Sequence, residues 1–359
     1  MRFESEEILE TFKMLYIERL EIRAVTMGIS MLDCISGSAS ETAARVKKKI
    51  NEVAGNLVST VASVSDEYGV HITNTRIAST PVSLLLARFP TVDSAVEIGR
   101  ALDDAAQDVG VDFIGGFTAL VERGISRSDA ALMDSIPTVL SGTSRVNSSV
   151  NVASTRAGIN VDAINIVARK IKETAEATSK NNGIGSAKLG VFCNAPPDNP
   201  FMAGAFHGIG QGEVTINVAI SGPSAIRAAV ENCKGNIDEL SDRIKRAAFK
   251  MTRVGQLIGK ETARRLGVKF GIVDVSIAPT TAKGNSIVDV VEAMGIQRCG
   301  APGTTAAIAM LGDCIKKGGM MACTRIGGLS GIFIPVSEDS GMNERVGEGS
   351  VSYTHLTLP

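Results

Sequence analysis

The chain has 359 residues, 44% of them hydrophobic and 21% charged, which is enough for a sizeable buried core. Lys and Arg (37) almost cancel Asp and Glu (38), leaving a formal charge of −1. That balance excludes a basic footprint for nucleic acid or an anionic membrane surface, and the apolar content excludes disorder. With 37 Gly, no Trp, 3 Tyr and 4% aromatics, the core must be built from Ala, Val, Ile and Leu with close backbone approaches, as in layered α/β proteins.

Six cysteines (Cys34, Cys193, Cys233, Cys299, Cys314 and Cys323) are scattered without a CxxC pair or metal-knuckle spacing, so no disulfide framework is expected. Met1 to Glu10 is acidic and lacks the apolar stretch of a signal peptide. No window approaches the roughly 18 apolar residues of a membrane span. These features point to a cytoplasmic protein. Ser352-Tyr353-Thr354-His355-Leu356-Thr357-Leu358-Pro359 breaks off without helix or strand context. It resembles a translated sequencing adapter, and is expected to be a non-native tail on a truncated gene. A natural frayed terminus is the alternative.

In chain order, Ser5 followed by Glu6 and Glu7 opens an amphipathic helix toward Glu18. Leu20 to Ile29 reads as strand, and Ser40 caps a long helix ending before Gly69. Val70 to Ala78 is the next strand, and Val92 to Val109 a helix stopped at Gly110. Val111 to Ile114 is a short strand ending at Gly115-Gly116. A helix follows Asn160, then strands over Lys188 to Cys193 and Val214 to Ile220. Ser221-Gly222-Pro223 opens a helix, and a longer one runs from Ile237 to about Leu266. Val268 to Ile277 is strand and Pro302 to Lys317 helix, with Met320 to Arg325 and Ile332 to Pro335 as last strands. Strands separated by helices imply parallel pairing with crossovers. Apolar pairs such as Ile272-Val273 and Phe333-Ile334 imply strands buried on both faces.

The densest chemistry lies in residues 193–208, where Cys193, Asp198, Asn199 and His207 sit among three prolines and two glycines. The segment follows a strand, so it lies at a carboxyl edge, where ligand sites form in parallel sheets. His207 is the natural proton carrier near pH 7. The competing reading gives Asp198 and Asn199 Asx-turns and His207 a backbone hydrogen bond. Ser221-Gly222-Pro223-Ser224 and Gly300-Ala301-Pro302-Gly303-Thr304-Thr305 are helix openings that suit a phosphate or carboxylate, with Ser221, Gly222, Gly303 and Thr304 as binding candidates. They are also ordinary helix starts. Asp33 beside Cys34, and Asp274, are candidate second carboxylates. Asp112, Asp274, Glu338 and Asp339 could be drawn together by the fold, though their spacing alone does not require it. No phosphate loop, dinucleotide fingerprint or nucleophile elbow occurs. No cofactor or metal is identified.

The runs Thr26-Met27-Gly28-Ile29-Ser30, Val111-Asp112-Phe113-Ile114-Gly115-Gly116-Phe117, Asp198 through Gly208, Phe270-Gly271-Ile272-Val273-Asp274 and Gly327-Gly328-Leu329-Ser330-Gly331 through Asp339 resemble the UPF0210 (DUF711) family. The resemblance extends to about Gly349 and implies longer family chains. It implies a ten-stranded α/β barrel of the pyruvate formate-lyase/ribonucleotide reductase type, with residues 1–351 as one barrel-like domain incomplete at its C-terminus. It also implies a bacterial setting and a small ACT-type regulatory protein as partner; a homo-oligomer is a further candidate assembly. Arg345-Val346-Gly347-Glu348-Gly349 has the Arg-Val start of a glycyl-radical motif, but its glycine is misplaced and no aromatic follows, so radical chemistry is not expected. The expectation is a non-radical enzyme of small anionic metabolites, with His207 as acid/base, Asp198 orienting it, Asn199 bonding through its amide, and Asp33 or Asp274 as second carboxylate. A ligand-binding or regulatory protein without turnover is the alternative.

Overall fold

The computed structural model of the chain describes residues 20–351, apart from positions 232, 234, 283 and 337. The helix expected from Ser5 and the segment 352–359 lie outside the described residues. Among the described residues, eight strands form one sheet: β1 (Glu21–Ile29), β2 (Thr75–Ser79), β3 (Phe113–Leu120), β4 (Val146–Ser154), β5 (Gly158–Ile159), β6 (Leu189–Cys193), β7 (Val214–Ser221) and β8 (Lys269–Val275). Strands β6-β4-β3-β2-β1 lie side by side and parallel. Strand β7 joins β1 antiparallel, and β8 runs parallel to β7. Past β8, isolated parallel bridges join Val273 to Ile326 and Ile277 to Ile332.

The helices are α1 (Ala39–Ala54), α2 (Leu57–Tyr68), α3 (Val82–Leu85), α4 (Val92–Val109), α5 (Arg127–Gly142), α6 (Val161–Ala177), α7 (Ile184–Ala187), α8 (Pro223–Glu231), α9 (Ile237–Leu266), α10 (Ile287–Ala293), α11 (Thr304–Ala322) and α12 (Ser340–Gly347). Their ends follow local chemistry. Ser38, Thr91, Asn160 and Asn236 accept backbone N–H groups at N-caps. Gly69, Gly110 and Gly267 close helices in the left-handed conformation. No described helix is long and apolar enough to cross a membrane.

Alternation gives the sheet two unlike faces. Val25, Met27 and Ile29 of β1, Ile77 of β2, Ile216, Val218 and Ile220 of β7, and Val273 and Val275 of β8 belong to the apolar core shared with the helices. The residues between them face the other way: Thr26 and Gly28, Arg76 and Ala78, Thr215 and Asn217, and Asp274. On β3 and β4 the same face carries Thr118 and Ser149, whose hydroxyls bond at 2.8 Å. This second face is small and polar.

Several boundaries differ from the sequence reading. The long helix from Ser40 is two helices, α1 and α2, interrupted at Gly55 and Asn56. Strand β2 starts only at Thr75, since Ile72 reaches β1 by an isolated bridge. Strand β3 continues through Gly115-Gly116 to Leu120, and α5 and β4 have no counterpart among the expected elements. Met320 and Met321 belong to α11 rather than to a strand. Gly318-Gly319 does not stop that helix, because a Cβ at Gly318 would overlap Lys245 O of α9. The glycine is there to let two helices touch. Ile332 contributes a bridge instead of a strand.

Candidate functional site

Residues 194–213 cross the polar face, and glycines make that crossing fit. A Cβ on Gly28 would overlap Nδ1 of His207, and one on Gly115 would overlap Ala205 O. Gly190 and Gly204 both abut the ring of Phe192. The His207 backbone N–H donates to Ser79 O at 2.9 Å, tying the segment to the end of β2. The segment also braces itself. Buried Asn199 donates through Nδ2 to Gly204 O and accepts the Phe201 N–H at Oδ1, both at 2.9 Å. Phe201 stacks on Phe333 with centroids 4.2 Å apart. Asn199 thus has both ends of its amide committed inside the loop, as the Asx-turn reading requires.

His207 is 2% exposed. Its Nε2 lies 2.6 Å from Gly212 O. A carbonyl only accepts, so Nε2 carries the proton and Nδ1 is the basic nitrogen. Burial holds the imidazole pKa below its ordinary value, which keeps the ring neutral near pH 7. Asp198 does not orient it. The Asp198 carboxylate instead accepts the Gly328 N–H at 3.1 Å.

Asp274, on β8, is 0% exposed. It accepts the Ser276 hydroxyl and the N–H groups of Leu329 (2.9 Å) and Ser330 (3.1 Å). Burial nevertheless pushes its carboxyl up to about 6, with nearby Asp198 adding to the rise. Asp198 and Asp274 therefore grip one turn, 327–330, from two sides. At Gly328 that turn has φ +62°, and a side chain there would overlap Asp274.

The other candidates lie apart. Cys193 ends β6, exposed, beside Ala153. Asp33 is exposed and paired with Lys49 at 2.6 Å, and Lys49 also meets Glu213. Ser221 clips its hydroxyl to Ala278 O at 2.5 Å, and Gly222 packs on Met251. Gly303 opens α11, where the Thr304 hydroxyl closes its own turn on Ala301 O at 2.7 Å. Asp112 accepts the Thr75 N–H, and Asp339 accepts from Ser286, Ile287 and Met342. Among the described residues no cluster of three His, Cys, Asp or Glu is arranged to hold a metal.

Sequence reasoning missed the centre of the polar face. Register sets Arg76 of β2 and Asn217 of β7 on either side of Thr26. Arg76 is 7% exposed, with its guanidinium 5.8 Å from the Phe113 ring centroid. Burial, together with Arg23, lowers its pKa to about 10. Asn217 accepts the Ile272 N–H at 3.0 Å and reaches Asp198 O at 3.5 Å. The signal was available in the alternation of Thr75-Arg76-Ile77-Ala78-Ser79, which puts a charge in the middle of a strand.

Comparison with known proteins agrees with the resemblance seen in the sequence. A family profile described as "Uncharacterised ACR (DUF711)" matches residues 13–358. A UPF0210 protein of Carboxydothermus hydrogenoformans is 54% identical over 355 residues, covering 99% of this chain and 78% of the relative. One from Methanocaldococcus jannaschii is 51% identical over 362 residues, covering 99% and 79%. One from Acetivibrio thermocellus is 50% identical over 351 residues, covering 98% and 77%. Archaeal and bacterial relatives are equally similar, so a bacterial setting does not follow. With the profile matching nearly the whole chain and these relatives at half identity or more, the chain belongs to the UPF0210 (DUF711) family.

Proposed function

We propose that this chain is a non-radical enzyme acting on a small anionic metabolite by acid/base chemistry, its site being the polar sheet face beneath residues 193–208. One observation carries the reading. On that face burial shifts two titratable groups toward neutrality from opposite sides, His207 downward and Asp274 up to about 6. Opposed shifts of this kind mark an acid and a base working near pH 7. His207 accepts a proton at Nδ1, Asp274 is the second proton carrier, and Asp198 holds the 327–330 turn against Asp274. Asn199 braces the loop.

The proposed architecture is an α/β barrel of two opposed parallel halves in residues 1–351, as in pyruvate formate-lyase and ribonucleotide reductase. Strands β6-β4-β3-β2-β1 supply five parallel strands, and β7 and β8 with the bridges at Ile326 and Ile332 begin the opposed set. Kinship of fold does not bring radical chemistry with it. Arg345 lies in α12, ion-paired with Glu292 and Glu348, in a helix rather than a glycyl-radical loop. Burial also pushes the Cys34 and Cys299 thiols up to about 11, away from nucleophilic thiolate.

A binder without turnover is favoured by the saturation of Asp274 and Asn199 with internal bonds; an ACT-type regulatory partner or self-association fits that second reading. Incubation of the chain with a cell metabolite extract separates them. Depletion of a compound with product formation, abolished in His207→Ala, is expected of the enzyme. Equal turnover by His207→Ala would remove its catalytic role, and saturable thermal stabilisation without conversion would favour the binder.

A further inference from the structure

Two buried polar atoms on the polar face have nothing to bond. Arg76 Nε and Thr26 Oγ1 lack any hydrogen-bond partner, and the β1–β2 register sets the two residues side by side, about 4.8 Å apart across the ladder. No described carboxylate forms an ion pair with Arg76, and the nearby Asp112 has Oδ2 committed to the Thr75 N–H at 2.8 Å. On the far flank of Thr26, Asn217 has its carbonyl engaged with Ile272, while its Nδ2 meets Asp198 O only at 3.5 Å. Across β2, β1 and β7 the sheet thus presents a guanidinium, a hydroxyl and a carboxamide donor in one row. A buried guanidinium with no carboxylate bonded to it is a costly arrangement in a fold, and an apolar side chain would avoid it.

We infer that this row binds the carboxylate of a short-chain organic acid, with Arg76 as its counter-ion and Thr26 and Asn217 as further donors. The inference rests on the reading of the polar face as the ligand site and names its substrate class. A guanidinium offers two parallel N–H groups along one edge, the spacing of the two oxygens of a carboxylate. Charge favours a monoanion: Arg76 and Arg23 against Asp112 leave one positive charge. Placement favours a short ligand. Gly28, under the His207 ring, is two residues along β1 from Thr26, about 7 Å. A carboxylate held at Thr26 therefore sets the next carbons of the acid near Nδ1.

The test is thermal melting of the 359-residue chain with acetate, glycolate or butyrate, against inorganic phosphate and chloride at equal ionic strength. The wild type should show a saturable rise with a carboxylate, about 3–6 °C at a hundredfold excess over Kd. Arg76→Met and Thr26→Val should lose that rise. Without ligand, Arg76→Met should melt no lower than the wild type, because it removes an unpaired buried charge. An equal rise in Arg76→Met, no rise in the wild type, or a rise with phosphate alone overturns the assignment. Should Arg76→Met not fold, the isosteric Thr26→Val decides. Binding is read without turnover, so a failed conversion assay sinks the catalytic reading and leaves the carboxylate site standing.

Discussion

Gly28→Ala tests how the 194–213 segment is seated on the sheet. A Cβ at position 28 overlaps His207 Nδ1 and lies 3.0 Å from both His207 Cε1 and Thr215 Oγ1. The backbone has no room to retreat, since β1 is laddered to β2 at Ala78 and to β7 at Thr215. The ring is held as well, by His207 N–H on Ser79 O and Nε2 on Gly212 O. Overpacking of this kind costs about 1–3 kcal/mol, more than the roughly 0.5–1 kcal/mol that replacing a strand glycine returns. His207→Ala removes the obstacle at its own cost of about 2 kcal/mol, from lost burial and a lost hydrogen bond. In the double variant the methyl added at position 28 enters the vacated space, so its cost should fall short of the sum of the two single costs by about 1–3 kcal/mol. Urea denaturation of the four proteins, followed by two probes to establish a single transition, supplies the cycle. Additivity within about 0.5 kcal/mol would show that ring and glycine do not meet, and the docking of the loop would be wrong.

Asp274 should make stability depend on pH in the direction opposite to a salt-bridged carboxylate. Its folded pKa of about 6 stands above the ordinary 3.8, so its contribution is greatest below pH 3.8 and is lost as pH rises through 6, by about 3 kcal/mol for a shift of about two units. Asp274→Asn should flatten this fall in Tm between about pH 4.5 and 7.5, and an unchanged slope would place the titration elsewhere. Asp103 collects the N–H groups of Ser144 (3.0 Å), Arg145 (2.6 Å) and Val146 (3.3 Å) where α5 turns into β4. Asp103→Ala should cost about 3 kcal/mol or more by stranding these donors, read as a lower urea midpoint at unchanged m; a loss under about 1 kcal/mol would mean that water replaces the carboxylate.

What could be read from the sequence is what local chemistry decides. The ends of α4, α6 and α9 follow from Gly110, Asn160 and the pair Asn236 and Gly267, each a signal within a few residues of the boundary it sets. Strands β1 and β7 announce themselves by apolar runs. The failures share another cause. Gly115-Gly116 and Gly318-Gly319 read as breaks, yet β3 and α11 run through them, because those glycines answer to Ala205, Ser79 and Lys245 far away in the chain. Strand β4 escaped because Asn147, Ser149 and Asn151 alternate with its valines and look like loop. The candidate site divides the same way. His207, Asp198 and Asp274 are conspicuous residues in conspicuous motifs, whereas Arg76 and Thr26 lie far apart in the chain and become neighbours only through parallel register. A sheet face that must admit a loop cannot carry large apolar side chains. Small and polar residues are what remain, and they are also what makes a strand hard to recognise. The segments that sequence patterning reads least well are thus the ones that build the polar face, and an alternation of Thr, Asn, Ser or Gly with Val and Ile is the pattern by which such a face can be sought.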